Sequence, residues 1–230
     1  MPRRFAPGNH VFHVFNRAIA GTELFSSPDD YLAFERLMAE ALSHVTMRIL
    51  AYCLMPNHWH LMLWPIENDD LSNFMHWLTL THAMRWRKYR ETSGRGHVYQ
   101  GRFKGFPVEK ADGVICVGRY VERNARTANL VHRAEDWRFG SLWRREHPEF
   151  DDGLPALSEW PVTRPENWVA YVNEPQTRKE IKAIRRSFMR GCPFGSAPWR
   201  RRIAAELGLE STIRSRGRPR KNSPGLFISR

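Results

Sequence analysis

The sequence predicts an α+β domain built on an antiparallel sheet, with helices on one face of that sheet. Segments typical of strands alternate with segments whose apolar residues recur at helical spacing, in the order strand, helix, strand, strand, helix, strand, helix. Pro56-Asn57 lies between the two middle strands and indicates a tight turn between antiparallel neighbours. We therefore expect a split βαβ sheet whose other face is free to hold a site.

The first half of the chain carries three predicted strands and two predicted helices. HVFHVFNRA, at residues 10–18, reads as a strand, and SPDDYLAFERLMAEAL has helical spacing with Ser27 or Asp29 as the N-cap. MRILAYCLM is apolar on both faces, which is typical of a central strand, and HWHLML follows the turn. DDLSNFMHWLTLTHAMRWRKYRE begins acidic and ends basic, a charge order that favours a helix dipole.

The second half is predicted to continue the domain and then to leave it. HVYQGRFKGFPVE indicates a strand, and a third helix is predicted over residues 112–131. Two short basic helices are predicted at 177–190 and at 196–208. We expect a sheet domain over 1–145, a Pro- and Trp-rich linker over 146–175 that packs on it through its tryptophans, and a small basic α-helical region with a tail over 176–230.

The charge balance indicates an anionic partner. The formal net charge is +12, and residues 200–230 alone carry nine Arg and Lys against two Glu. Nucleic acid is the leading candidate, and a charged face without a partner is the alternative. The three cysteines form no CxxC pair, and no apolar run approaches the roughly 18 residues of a membrane span. We expect a cytoplasmic, nucleoid-associated protein with no membrane partner.

Two histidines one residue apart are the first chemical signal. In an extended strand, residues i and i+2 point to the same face, so His58 and His60 leave one side while Trp59, Leu61 and Leu63 enter a core on the other. Neutral imidazole is the commonest metal ligand in proteins, and two imidazoles alone leave a metal under-coordinated. The alternative is a pair of half-buried histidines held by hydrogen bonds.

The segment GRYVERNARTANLV supplies a second element. On a helical wheel Tyr120 and Asn124 lie four residues apart on the flank of the apolar stripe, with Arg119, Arg123 and Arg126 at more exposed positions. The stripe itself consists of Val114, Val117, Gly118, Val121, Ala125 and Ala128. This flank could lie beside the two-histidine strand; taken alone, Tyr120 would read as a boundary aromatic with a solvated hydroxyl.

These motifs carry a resemblance that covers most of the chain. The sequence resembles the single-tyrosine HUH transposases, and more closely their REP-associated tyrosine transposase branch. The matching stretches are HVFNRA, AYCLMPNHWHLML, YQGRFKGFPVE, RYVERNARTANLV, WRFGSLW, WPVTRPENWVAYVNEP and GCPFGSAPWRRRIAAELGLESTIRSRGRPRK. The His-x-His motif is weak alone and strong when joined to Tyr-x-x-x-Asn and the basic C-terminal segment.

The resemblance implies a fold and a site. The fold is a ferredoxin-like antiparallel sheet, often dimeric, so homodimer and monomer both stay open for this chain. His58 and His60 match the metal-binding pair, Asn124 the third polar ligand and Tyr120 the nucleophile. The metal would be Mg²⁺ or Mn²⁺; because two imidazoles suit manganese better than magnesium, we expect manganese to work at least as well.

The implied substrate is single-stranded DNA next to a palindromic hairpin. A phenol, with a reference pKa of about 10, needs a cation to become a nucleophile at pH 7. Attack by Tyr120 would give a 5′-phosphotyrosine and a free 3′-hydroxyl. The candidate DNA-binding residues are Arg17, Gln100, Arg102, Lys104, Arg119, Arg123, and in the RGRPRK segment Arg216, Arg218, Arg220 and Lys221.

Several alternatives stay open. RGRPRK resembles the core of a minor-groove AT-hook, or is a generic polybasic arm. The two C-terminal helices either grip the hairpin stem or pack back on the domain. The whole protein is a strand-transfer enzyme or a domesticated hairpin-binding protein without cleavage activity. A rolling-circle nickase or relaxase would use the same chemistry, but often with a third histidine where Asn124 stands here.

Overall fold

The computed structural model describes residues 6–91, 96–150 and 153–214. Within these ranges four strands form one antiparallel sheet in the order β2-β3-β1-β4. The strands are β1 Val11–Arg17, β2 Met47–Met55, β3 His58–Pro65 and β4 Lys104–Val108, and the first two helices are α1 Pro28–His44 and α2 Asp70–Tyr89. The connection β1-α1-β2-β3-α2-β4 with this strand order is the ferredoxin-like arrangement, so the predicted α+β fold is confirmed.

The later part of the described chain is helical. Its helices are α3 Asp112–Glu122, α4 Asn124–Thr127, α5 Ser141–Glu146, α6 Trp168–Asn173, α7 Arg178–Arg190, α8 Ala197–Glu206 and α9 Glu210–Ile213, with a 3-10 turn at Ala134–Asp136. The third helix predicted over 112–131 is interrupted at Arg123 and ends early, because Asn129 takes a left-handed conformation with φ 57°. The strand predicted around HVYQGRFKGFPVE is shorter, with Tyr99 making only an isolated bridge to Ala18.

Helices cover both faces of the sheet, so the prediction of helices on one face is wrong. One core lies under α1 and α2 and includes Phe34, Trp59 and Phe74. A second core lies on the opposite face, where α3, α6 and α7 contribute Val117, Val172 and Ile184. The physical reason is visible in β2, whose apolar residues point both ways and therefore need cover on both sides.

The Pro- and Trp-rich segment belongs to this second core. Trp160 packs against the backbone of Gly118 in α3 and donates its indole N–H to the carbonyl oxygen of Leu50, at 2.8 Å. Trp168 donates to the buried carboxylate of Glu122, at 2.6 Å. The structure thus packs parts of 146–175 and of α7 on the sheet, while the functional division into three regions stays a prediction. Within the described ranges, no helix combines the length and apolar character that crossing a bilayer requires.

Hydrogen bonds from another segment of the chain hold the turn before β3. Met55 lies opposite His58 in the β2–β3 pairing, so Pro56 and Asn57 form the predicted two-residue connection. The carbonyl oxygen of Pro56 accepts the backbone N–H of Leu24 and of Phe25, and that of Asn57 accepts the N–H of Ala18. The loop that follows β1 therefore anchors the start of β3.

Helix α1 begins where the sequence predicts. Ser27, rather than Asp29, is its N-cap: the Ser27 hydroxyl accepts the N–H of Asp30, and the Asp30 carboxylate accepts the N–H of Ser27. This capping box satisfies backbone donors that the first turn of a helix leaves without partners.

Candidate metal and nucleophile site

Strand β3 divides its side chains between the two cores, as predicted. Trp59, Leu61 and Leu63 are buried under α1 and α2. His58 and His60 emerge on the other face with their ring centroids 5.1 Å apart. His60 is only 3% exposed, whereas His58 is partly exposed, so the open side of the pair is at His58.

Both imidazoles are neutral near pH 7. Burial and, to a smaller extent, the Arg17 guanidinium together lower the pKa of His58 to about 4. Burial also holds the pKa of His60 well below its usual value, helped by His13 and His58. Neutral imidazole is the form that binds metal ions, so both rings are in the state that a cation needs.

Each imidazole has one ring nitrogen engaged by a neighbour. Nδ1 of His58 lies 2.6 Å from Oδ1 of Asn57, the residue before it in the turn. Nδ1 of His60 lies 3.0 Å from Nε2 of His13 on the adjacent strand β1. The second nitrogen of each ring, Nε2, remains as the candidate ligand atom.

Tyr120 lies beside this pair in the same chain. Its ring centroid is 5.7 Å from that of His60 and 6.2 Å from that of His13, in both cases edge to face. Burial raises the pKa of Tyr120, and the Arg185 guanidinium of α7 partly offsets that rise. The phenol is therefore protonated at rest, and its hydroxyl needs a further positive charge to become a phenolate.

Asn124 follows Tyr120 by one helical turn. Its side-chain N–H₂ donates to the carbonyl oxygens of Tyr120, at 2.9 Å, and Val121, at 3.3 Å. Because those bonds hold the amide nitrogen against the helix, Oδ1 is the atom left for a cation.

The side chains of His58 and His60 could supply two of the ligands of a divalent metal ion. Two adjacent neutral imidazoles supply nitrogen ligands, and an amide oxygen follows the tyrosine. Among the described residues no group of three or more His, Cys, Asp or Glu side chains could hold a metal ion. Mg²⁺ and Mn²⁺ prefer oxygen ligands, of which Oδ1 of Asn124 would be one.

Sequence reasoning missed the groups that close the site from β1 and α7. His13 is fully buried, and its ring centroid is 5.0 Å from that of Phe106. Phe188 of α7 stacks on Phe15 with centroids 3.5 Å apart and lies 6.1 Å from the His60 ring. The alternation of HVFHVFNRA places His13 and Phe15 on one strand face and could have found them once the β1–β3 pairing was known. Only the fold brings Phe188 here.

Three of the candidate DNA-binding residues gather beside His58. Arg17 lies opposite His58 in the β1–β3 pairing, and its carbonyl oxygen accepts the N–H of Gln100, at 2.9 Å. Lys104 lies opposite Phe15 in the β1–β4 pairing. The side chains of Arg17, Gln100, Arg102 and Lys104 are exposed, and we call this group the basic rim. Their contact with a phosphate backbone stays a prediction.

Two other candidates are engaged inside the protein. Arg119 is 4% exposed; it donates to the carbonyl oxygens of Glu174 and Pro175 and stacks on the Tyr171 ring at 4.0 Å. The prediction that it is exposed is wrong, because the C-terminal end of α6 lies on this flank of α3 and offers carbonyl groups without helical partners.

Arg123 is engaged in the same way. It donates to the carbonyl oxygens of Val172 and Asn173, and Arg126 also binds Asn173. These arginines tie α3 and α4 to α6. The remaining candidates, Arg216, Arg218, Arg220 and Lys221, lie outside the described residues.

Comparison with known proteins identifies the family. The family model described as "Transposase IS200 like" matches residues 8–124, slightly more than half of the chain, from just before β1 to Asn124. The fold is similar to the solved structure of a REP-associated tyrosine transposase bound to a REP hairpin, with a TM-score of 0.52 and 17% identity over 69% of this chain and 91% of that one. Comparison with curated proteins gives no match. With its sheet, its histidine pair and its tyrosine inside the matched segment, the chain belongs to the IS200-like transposase family.

Proposed function

We propose that the protein is a metal-dependent single-stranded DNA endonuclease and strand transferase of the REP-associated branch, acting at palindromic hairpin repeats through a 5′-phosphotyrosine. The observation that carries this proposal is the position of Tyr120, whose ring lies 5.7 Å from that of His60 in the same chain. A tyrosine, two neutral imidazoles and a basic rim thus lie together at one end of the sheet. The geometry supports a site built within one subunit, whether or not the protein forms a dimer.

The chain's residues divide the work of cleavage. His58, His60 and Oδ1 of Asn124 would hold a divalent cation, which transposases of this family generally use; when bound, it polarises the scissile phosphate as a Lewis acid. Arg17, with the rest of the basic rim, would position the phosphate on the open His58 side.

Tyr120 carries the covalent step. Its Oη loses the phenolic proton and attacks phosphorus, the P–O3′ bond breaks, and the departing oxygen takes up a proton to become a 3′-hydroxyl. The phosphotyrosine conserves the phosphodiester bond, so attack by a 3′-hydroxyl on the same phosphorus rejoins strands and releases Tyr120 without a nucleotide cofactor.

The electrostatics support a resting state that does not cut. Burial raises the pKa of Tyr120, so its phenolate is scarce at pH 7. Arg185 works in the opposite direction but does not overcome burial. The nucleophile therefore becomes active only when a bound cation adds positive charge beside it.

Single-stranded DNA beside a hairpin is the substrate that the charge and the likeness favour. The net charge is +12, and the relative of similar fold was solved with a REP hairpin. Helix α8 presents Arg200, Arg201 and Arg202 in succession, with the last two exposed. We propose that 1–145 cuts, that 146–175 connects and packs, and that 176–230 grips the stem.

Covalent capture tests the proposal. The full chain is incubated with hairpin-bearing single-stranded DNA and Mn²⁺ or Mg²⁺ and run on a denaturing gel. We expect a protein–DNA adduct that EDTA prevents and that Tyr120→Phe abolishes. Tyr89→Phe is the matched control: Tyr89 is 73% exposed at the end of α2, and we expect its variant to form the adduct normally. An adduct that persists in Tyr120→Phe would contradict the proposal, and a native-gel shift without any adduct would identify a hairpin-binding protein instead.

A further inference from the structure

The two imidazoles are anchored by partners of different chemistry. The partner of His58 Nδ1 is an amide oxygen, Asn57 Oδ1, 2.6 Å away. An amide oxygen accepts hydrogen bonds and cannot donate one, so the His58 proton must lie on Nδ1. Its Nε2 therefore carries a lone pair, as a ligand to a cation must.

The partner of His60 is a third imidazole. Nδ1 of His60 lies 3.0 Å from Nε2 of His13, and both rings are buried. One of these two nitrogens must donate and the other accept. If His13 donates, the His60 proton lies on Nε2 and that atom cannot bind a cation. If His60 donates, its Nε2 carries the lone pair.

The choice of donor also decides which nitrogen of His13 carries its proton. When His13 accepts at Nε2, its own proton lies on Nδ1, and that atom is buried with no hydrogen-bond partner among the described residues. His13 is held in place by its ring contact with Phe106, at 5.0 Å between centroids, and by its position inside β1. The exchange between the two arrangements conserves protons: His60 Nε2 releases one to solvent, the proton between the rings passes from His13 Nε2 to His60 Nδ1, and His13 Nδ1 takes one up from solvent.

We infer that Asn57 and His13 are positioning residues, which hold His58 and His60 with their Nε2 lone pairs facing the cation. This inference rests on the proposed function, because it assumes that these two imidazoles bind a metal. Asn57 holds the His58 proton on Nδ1 with or without a cation, because its amide oxygen can only accept a hydrogen bond. His13 permits two arrangements, and cation binding selects the one in which His60 donates. Outer partners of this kind are known to orient metal-binding histidines, although here one of them is itself an imidazole.

Cation affinity of the full chain tests the inference without DNA. Mn²⁺ alone is titrated, and its free concentration is followed by electron paramagnetic resonance. We expect His13→Leu and Asn57→Ala each to weaken Mn²⁺ binding about 10- to 100-fold, the range typical of lost outer partners. His13→Gln and Asn57→Asp, which keep an acceptor, should bind within about threefold of the unmodified chain or more tightly.

A matched control separates positioning from folding. His82 is also buried and bonded through Nδ1, but its partner is the Tyr99 hydroxyl under α1 and α2. We expect His82→Gln to leave Mn²⁺ affinity unchanged. Circular dichroism of each variant confirms its fold. If His13→Leu fails to fold, ring ¹⁵N shifts of the unmodified chain decide: saturation with Mg²⁺ should place the His60 proton on Nδ1.

The outcomes distinguish two failures. If the unmodified chain binds no Mn²⁺, or if His58→Ala leaves Mn²⁺ affinity unchanged, the metal site of the proposed function is overturned. If His58→Ala weakens Mn²⁺ binding but His13→Leu and Asn57→Ala leave the affinity unchanged, this inference alone is overturned. A His60 proton on Nε2 in the Mg²⁺-saturated protein would also overturn it.

Discussion

The two faces of the sheet each bury a histidine beside a tyrosine, and they use them differently. Under α1 and α2, the Tyr99 hydroxyl lies 2.6 Å from His82 Nδ1 and accepts the indole N–H of Trp59 at 3.2 Å. No buried polar atom of these three described side chains lacks a partner. Under α3 and α7, His60 and Tyr120 meet edge to face, and neither ring is the hydrogen-bond partner of the other.

Burial and lowered pKa alone therefore do not mark the site. Burial lowers the pKa of His82 to about 3, much as it lowers that of His58 to about 4. The two faces differ in their hydrogen bonding. On the first face Trp59, Tyr99 and His82 bond to one another. On the opposite face, the Nε2 atoms of His58 and His60 and the phenol of Tyr120 lie next to the basic rim. The first face should thus matter for stability and the second for chemistry.

The largest expected effect is on the first face. Trp59 is fully buried against Phe34 and Tyr99, so Trp59→Ala should lower the free energy of unfolding by about 3–5 kcal/mol through loss of apolar burial and a cavity. The preceding residue, His58, is partly exposed, and His58→Gln should cost less than about 1.5 kcal/mol. Urea unfolding measures both; equal losses would contradict the division between the faces.

A smaller effect is expected where α3 rests on the linker. A Cβ at Gly118 would overlap the six-membered ring of Trp160, whose indole N–H is fixed on the Leu50 carbonyl. Gly118→Ala should therefore cost about 1–3 kcal/mol by overpacking, and it should displace the helix that carries Tyr120. Gly101→Ala, where an added Cβ meets nothing, is the matched control. Unchanged unfolding of Gly118→Ala would show that α3 is not held by this close approach.

The smallest effect is a pH dependence on the first face. The pKa of His82 is lowered from 6.5 to about 3, so between these values the unfolded chain binds a proton that the folded chain does not. Stability contributed by this group is therefore lost as pH falls below 6.5. From pH 7.5 to 5.5 it should account for about 1.4 kcal/mol of the decline in unfolding free energy. We expect His82→Gln to remove that share from the pH profile; an identical pH slope would contradict it.

The sequence predicts what depends on local pattern. The turn at Pro56-Asn57, the alternation through Trp59 and the capping of α1 by Ser27 all follow from neighbouring residues, and the structure confirms them. Tyr120 lies on the buried flank of its helix, as helical spacing predicts.

What depends on distant segments was missed or wrong. The cover over the second face comes from α6 and α7, far along the chain, and it buries Arg119 by offering carbonyl oxygens to it. His13 joins His60 only through the pairing of β1 with β3. Neither the spacing of Arg119 nor that of His13 contains this information, because long-range pairing sets which faces meet.

The most direct test of the central claim is the identity of the covalently modified residue. After reaction with hairpin-bearing single-stranded DNA and Mn²⁺, the adduct is digested with nuclease and trypsin, and the peptides are sequenced by mass spectrometry. Cleavage after Arg119 and Arg123 releases residues 120–123 as one short peptide. The account predicts that this peptide carries a 5′-nucleotide on the Tyr120 oxygen. A nucleotide on any other residue, with this peptide unmodified, would contradict it.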